Sequence, residues 1–263
     1  MKLFVLSALI ILGNAIFAQE STPFVIGETR ETGSLILDET RILNIYLPPN
    51  YSVEDTTHYP VIYLLDGSAD EDFIHVSGIL QYCNFPWINF EPNAILVGIA
   101  NVDRRRDFTF PTTVAADKEN NPTSGGSANF MACLESELIP YIDQSFRTTG
   151  ERTIIGQSLG GLMCTQILFE KPALFSRYVI ISPSVWWDNN SILTKPFNSE
   201  LLRNKSVYLA VGKEGKVMVN GAKKLHSMLK KTGTLKRLEF EYFPGDNHAT
   251  MGHIPVLNAF RKI

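Results

Sequence analysis

Between residues 152 and 170 the chain reads RTIIGQSLGGLMCTQILFE. A β-branched apolar run ends at Gly156, a serine stands at 158, and an apolar helical pattern begins at once. Strand, G-x-S-x-G and helix in immediate succession leave little room for alternatives. The two backbones close on each other at such a turn, so the positions two before and two after the serine must be small. Gly156 and Gly160 meet that demand. The turn also aims the backbone N–H of Leu159, backed by the N-terminus of the following helix, at the place where an oxyanion would develop. The plainer alternative is a glycine-rich helix start with Ser158 as its N-cap.

The rest of the chain repeats the alternation. Short β-rich runs fall at 61–65, 94–100, 153–156, 178–182, 207–211 and 238–243. Helical periodicity separates most of them, with Phe130, Cys133, Leu134, Leu138 and Ile142 forming one apolar stripe and residues 159–170 and 221–231 behaving similarly. Strands that read as continuous apolar runs imply a mainly parallel sheet covered by helices on both faces. An earlier stretch, SLILDETRILNIYL, suggests a hairpin turning near Asp38–Thr40. The segment 115–127 (AADKENNPTSGGS) reads as a polar, mobile loop. With no repeat and no linker, the expectation is one α/β domain over residues 19–263.

Residues 1–18, MKLFVLSALIILGNAIFA, combine Lys2, an apolar core and a small residue before Gln19. That is the pattern of a secretory signal peptide, and its apolar run is shorter than the roughly 20 residues a bilayer span needs. Its removal shortens the chain from 263 to 245 residues. Loss of Lys2, the single charge in the segment, takes the net charge from −3 to −4. The expected location is periplasmic or secreted, with no stable membrane anchor after cleavage. A chain with 24 basic and 27 acidic side chains has no footprint for nucleic acid. Cys83, Cys133 and Cys164 allow at most one disulfide, and none stand at metal-ligand spacing. Cys164, inside the helical pattern, reads as a small buried hydrophobe.

A nucleophilic serine needs a base, and in this kind of fold the base comes last in the chain. His248, in Pro-Gly-Asp-Asn-His after the run 238–243, sits where a sheet-borne histidine should. His253 is its rival, while His58, His75 and His226 fit poorly. The orienting acid should follow the preceding strand. Between Leu201 and Leu238 the sole acidic side chain is Glu214. The alternatives are a Ser–His dyad with a solvated Glu214, or Asp246 as the acid. A second oxyanion donor should come from an early loop. There the strand 61–65 runs into Asp66-Gly67-Ser68, offering the Ser68 N–H and placing Asp66 for substrate contact, unless the loop is an ordinary Asp-Gly turn.

Seven ordered segments now stand out: YLPPNY (46–51), YPVIYLLDGS (59–68), NVDRRRDFTFP (101–111), FMACLESELIPYID (130–143), RTIIGQSLGGL (152–162), SPSVWWD (182–188) and GDNHATM (245–251). Together they resemble the esterase family of α/β-hydrolases, whose members include ferric-siderophore esterases, S-formylglutathione hydrolase and mycolyltransferases. The resemblance spans about residues 30–263. It implies an α/β-hydrolase fold, Ser158 as nucleophile, His248 as base, and backbone donors at Leu159 and Ser68. The arginine run 104–106 and Trp186-Trp187 are most like the siderophore-esterase branch. Arg106 either joins a cationic rim for an anionic substrate or pairs with Asp107 to hold the loop. One of Trp186 and Trp187 could wall the pocket, the other entering the core. The net charge of −4 offers anions no general attraction.

The expected activity is hydrolysis of a small-molecule or carbohydrate carboxylic ester through an acyl-enzyme, without metal or cofactor. Acetyl or feruloyl esterase, acyltransferase, and a catalytically dead binding module of the same fold are the alternatives.

Overall fold

A computed structural model describes residues 21–49, 51–52, 54 and 56–263. The expected signal peptide, residues 1–18, lies outside them. The described strands form one eight-stranded sheet in the order β1-β2-β4-β3-β5-β6-β7-β8. β1 (Glu28–Ser34) and β2 (Glu39–Tyr46) make an antiparallel hairpin, and β2 lies antiparallel to β4 (Ile95–Ile99). From β4 onward every pairing is parallel, through β3 (Tyr59–Leu65), β5 (Thr148–Gln157), β6 (Arg177–Ile181), β7 (Ser206–Gly212) and β8 (Arg237–Phe243). This is the α/β-hydrolase architecture expected from the sequence.

Central strands are apolar on both sides because both faces are covered. Along β3, Val61, Tyr63 and Leu65 enter one core while Ile62 and Leu64 enter the other. One face carries α1 (Phe73–Asn84), with Val76, Leu80 and Cys83 turned inward. Short helices α2 (Arg104–Phe108) and α3 (Ala115–Asn120) lead into α4 (Ser127–Cys133). A π-helical stretch, Leu134–Leu138, joins α4 to α5 (Ile139–Ser145). The predicted stripe Phe130, Cys133, Leu134, Leu138 and Ile142 is buried throughout. Pro140, which has no N–H to close an i−4 bond, follows the widened turn directly. α6 (Leu159–Glu170) packs on the same face as α4, after which come a single irregular turn α7 (Trp187–Asn190), α8 (Gly215–Thr232) and α9 (Ile254–Lys262). α9 joins α1 on the opposite face through Val256, Ala259 and Phe260.

Two local expectations change. The hairpin turn falls at residues 35–38, earlier than the expected Asp38–Thr40, and β1 begins at Glu28. The carboxylate of Glu137 collects the backbone N–H groups of Leu35 and Ile36 at 2.9 and 3.1 Å and the Ser34 hydroxyl. Segment 115–127 is not a bare loop, since it contains α3. Asp188 holds its approach: Oδ1 accepts from the Thr113 N–H at 2.7 Å and from the Thr112 and Thr113 hydroxyls at 3.0 Å, while the Asp188 N–H donates to Asp117. All three cysteines are free and buried. Among the described residues no helix is long and apolar enough to cross a membrane.

Candidate active site

Ser158 stands between β5 and α6 with φ 59° and ψ −117°, a conformation in which a side-chain-bearing residue is strained. Packing around Gly156 enforces the turn. A Cβ there would lie 2.5 Å from the backbone carbonyl of Gly160. The Ser158 N–H donates to Ile181 C=O at 3.0 Å, and its own C=O accepts from Leu162 and Ser184 N–H at 2.9 and 3.0 Å. The elbow is therefore pinned to the end of β6 as well as to its own helix. Ser158 Oγ lies 3.3 Å from Ser184 Oγ. Leu159 opens α6, so its N–H belongs to the first turn, whose donors have no helical acceptor.

Glu214 follows the C-terminal end of β7, and its side chain is only 2% exposed. Oε1 accepts from the Gly212 N–H at 2.8 Å and from the Ser182 hydroxyl. Oε2 faces His248 Nδ1 in direct hydrogen-bond contact. Burial works against the charge on this carboxyl. The hydrogen bonds from His248, Ser182 and Gly212 together outweigh burial and hold it below the ordinary glutamate range. A carboxylate can only accept, so Nδ1 carries the proton and Nε2 is left with its lone pair.

His248 belongs to the loop between β8 and α9. Gln157 Nε2 donates to its backbone carbonyl at 2.6 Å, linking the residue before Ser158 to the histidine loop. Asp246 is engaged elsewhere: Oδ1 accepts from the Thr250 hydroxyl at 2.9 Å. The other histidines stand apart. His253 faces His75, His226 stacks on Phe240 at 4.8 Å, and His58 contacts the Thr56 carbonyl.

Ser158 and His248 line one open cleft of ≈ 420 Å³ with Gln157, Ala249, Asp66, Glu71, Asp72 and Arg104. Asp66 is not a free substrate contact. Its Oδ1 lies 2.6 Å from Arg104 Nε and 2.8 Å from Asn101 Nδ2, and its Oδ2 lies 2.9 Å from Arg104 Nη2. Burial opposes the Arg104 charge, but the Asp66 hydrogen bonds prevail and raise it above the usual arginine value. The Asp72 carboxyl is raised by burial first, then by Asp66 and Glu71. Ser68 lies in the turn before α1, where its hydroxyl donates to Glu71 at 2.7 Å, and it is not among the residues lining the cleft. Gly67 is required just before it, because a Cβ would meet the Gly98 Cα at 2.4 Å.

Two expected substrate contacts lie elsewhere. Arg106 grips Glu39 at 2.7 and 2.9 Å and Asp107 at 2.7 Å. Fully buried Arg41 completes this network, bridging Glu39 at 2.6 Å and Asp107 at 2.8 Å. Of the two readings of Arg106, the structural ion pair holds, and its neighbour Arg104 is the arginine at the cleft. Trp187 is wholly buried, with Nε1 donating to Phe110 C=O at 2.8 Å. Half-buried Trp186 meets it edge-on at 6.2 Å, and neither ring lines the cleft. Trp187 fills the core, and Trp186 packs against it from its edge. Sequence reasoning passed over Gln157, Ser182 and Ser184, although all three lie inside quoted motifs. Nothing in a side chain's type reveals which backbone or carboxylate it will support.

The family described as "Putative esterase" matches residues 34–254. The chain is 30% identical over 249 residues to the ferri-bacillibactin esterase BesA of Bacillus subtilis (strain 168), covering 85% of each chain. Among solved structures it is similar to an IroE-like serine hydrolase from Shewanella oneidensis, with a TM-score of 0.78 at 26% identity over 89% of this chain and 79% of that one. It is equally close to the BES protein from Bacillus cereus, with a TM-score of 0.78 at 27% identity over 95% and 98% of the two chains. The elbow, the sheet order and these likenesses lead to one conclusion: the chain belongs to the esterase family of α/β-hydrolases, enzymes that hydrolyse ester bonds.

Proposed function

We propose that the chain is an exported serine esterase that cleaves carboxylic esters of a siderophore type through an acyl-enzyme intermediate. Ser158 Oγ attacks the ester carbonyl while His248 Nε2 takes its proton. Glu214 holds the imidazole in the tautomer that leaves Nε2 free and stabilises the imidazolium as it forms. The N–H of Leu159, and that of Ser68 from the loop after β3, donate to the oxyanion. Collapse of the tetrahedral intermediate transfers the proton from His248 to the departing alcohol. Water then attacks the acyl-enzyme while His248 takes its proton; the bond to Ser158 Oγ breaks, Oγ recovers the proton from His248, and the acid is released. The observation that carries this reading is the Glu214–His248 pair on the same cleft as a serine held at φ 59°.

The siderophore preference rests on relatives: BesA is named for ferri-bacillibactin, and a further relative in Escherichia coli is an apo-salmochelin esterase, 24% identical over 252 residues. Three carboxylates and one guanidinium line the cleft, which suits a polar ligand.

Ser158→Ala should abolish hydrolysis of a short p-nitrophenyl ester and labelling by a fluorophosphonate, with the melting temperature unchanged. Activity equal to wild type would sink the assignment. A panel of ferric siderophores, acetylated xylan and feruloyl esters, read as kcat/KM, tests the substrate class. The siderophore reading requires the first group to lead. Export predicts that protein recovered outside the cytoplasm begins at Gln19 on N-terminal sequencing.

A further inference from the structure

Two histidines outside the cleft are turned toward each other. His75 lies in the first turn of α1 and His253 immediately precedes α9. His253 Nδ1 stands 3.1 Å from His75 Nε2. Their ring centres are 4.9 Å apart, with planes inclined at 49°. Two imidazole nitrogens bound to one divalent ion at about 2.0–2.1 Å, with angles between square-planar and tetrahedral, stand about 2.9–3.4 Å apart with ring centres about 4.5–5.2 Å apart. Both observed distances fall inside those ranges. A straight N–H···N hydrogen bond of the same length would put the ring centres about 5.4 Å apart. The rings are therefore bent off the N···N line, a geometry compatible with two ligands of a common ion.

The surroundings suit a metal that keeps part of its water. Both side chains are exposed, leaving room for solvent to complete the coordination shell. Among the described residues no group of three or more His, Cys, Asp or Glu is arranged to hold a metal. Two neutral imidazoles with water favour zinc or copper over magnesium or calcium, which demand oxygen ligands. Neither histidine lines the catalytic cleft.

We propose that His75 and His253 form a two-histidine chelate for a divalent transition-metal ion, tying α1 to α9. Because His253 is the fifth residue after His248, the ion also tethers the far end of the loop that carries the proposed base.

The untagged chain, titrated with Zn²⁺ and separately with Cu²⁺ by calorimetry, should take up one ion. Its melting temperature should rise by about 5 °C when free ion exceeds the dissociation constant about a hundredfold. His75→Ala and His253→Ala should each weaken binding by about tenfold or more, whereas His226→Ala should leave it unchanged. If either substitution unfolds the chain, proton–nitrogen spectra of the wild type supply the same answer. Zn²⁺ should then shift the ring nitrogens of His75 and His253 and leave those of His248 in place. The proposal is overturned by an absence of binding, by binding that survives both substitutions, or by shifts confined to His248.

Discussion

Ser182 is wholly buried, sits at φ 44°, and donates its hydroxyl to Glu214. It occupies the carboxylate oxygen that His248 does not use, and so helps decide which way the acid points. Two substitutions separate that role from the backbone strain. Ser182→Ala removes the donor and keeps the strain, while Ser182→Gly removes both. Each should lower kcat/KM about tenfold or more by loosening Glu214, with KM little changed. The glycine variant should melt higher than the alanine one, which thermal unfolding beside steady-state kinetics will measure. A Ser182→Ala enzyme with full kcat would show that Gly212 N–H suffices. Spacing and chain order alone single out Ser158, His248 and Glu214, the residues of the proposed triad. They do not single out Ser182, because its importance lies in meeting a residue 32 positions away.

The strand–turn–helix unit around Ser158 carries both the fold and the candidate site. Gly156→Ala forces a methyl between β5 and the first turn of α6, against backbone on one side and Cys164 Sγ at 2.8 Å on the other. Neither element can withdraw without breaking sheet or core packing. The expected cost is about 1–3 kcal/mol of stability, visible as a lower urea midpoint at an unchanged m-value. All six β-rich runs read from the sequence fall on strands; apolar residues dominate β3, β4, β6 and β7, which are buried on both faces, whereas β8 is only partly buried. Elements missed or misplaced are held by distant carboxylates instead. Glu137 captures the turn after β1, and Asp188 organises the approach to α3. A polar segment stabilised from afar carries no periodicity of its own, so it reads as loop.

Over the whole molecule, several carboxyls bind protons more weakly folded than unfolded. Burial opposes the charge on Glu39 and Glu214, yet their arginine, histidine and hydroxyl partners win and lower both. Asp188 is lowered from 3.8 to about 2, first by the Ser191 hydroxyl and then by Thr113. For such groups the stabilisation is complete above the unfolded value and disappears as pH falls through the folded one. The melting temperature should therefore decline once the pH drops below about 4.5, the ordinary value for glutamate. Asp188→Asn should melt lower than wild type at pH 7 but lose less between pH 5 and 3, as a series of thermal scans would reveal. An identical fall in both would remove Asp188 from the account.

The position of β8 has a consequence in time. Among the described strands it lies at the edge of the sheet and pairs only with β7, and the loop it launches reaches back to Gln157, 91 residues upstream. During synthesis, N-terminal parts of a chain emerge first. The serine elbow is thus translated long before the histidine that would arm it. On the proposed mechanism, a nascent chain stalled between Ser158 and His248 holds a nucleophile without a base, and hydrolytic power arrives only with the edge strand and its loop.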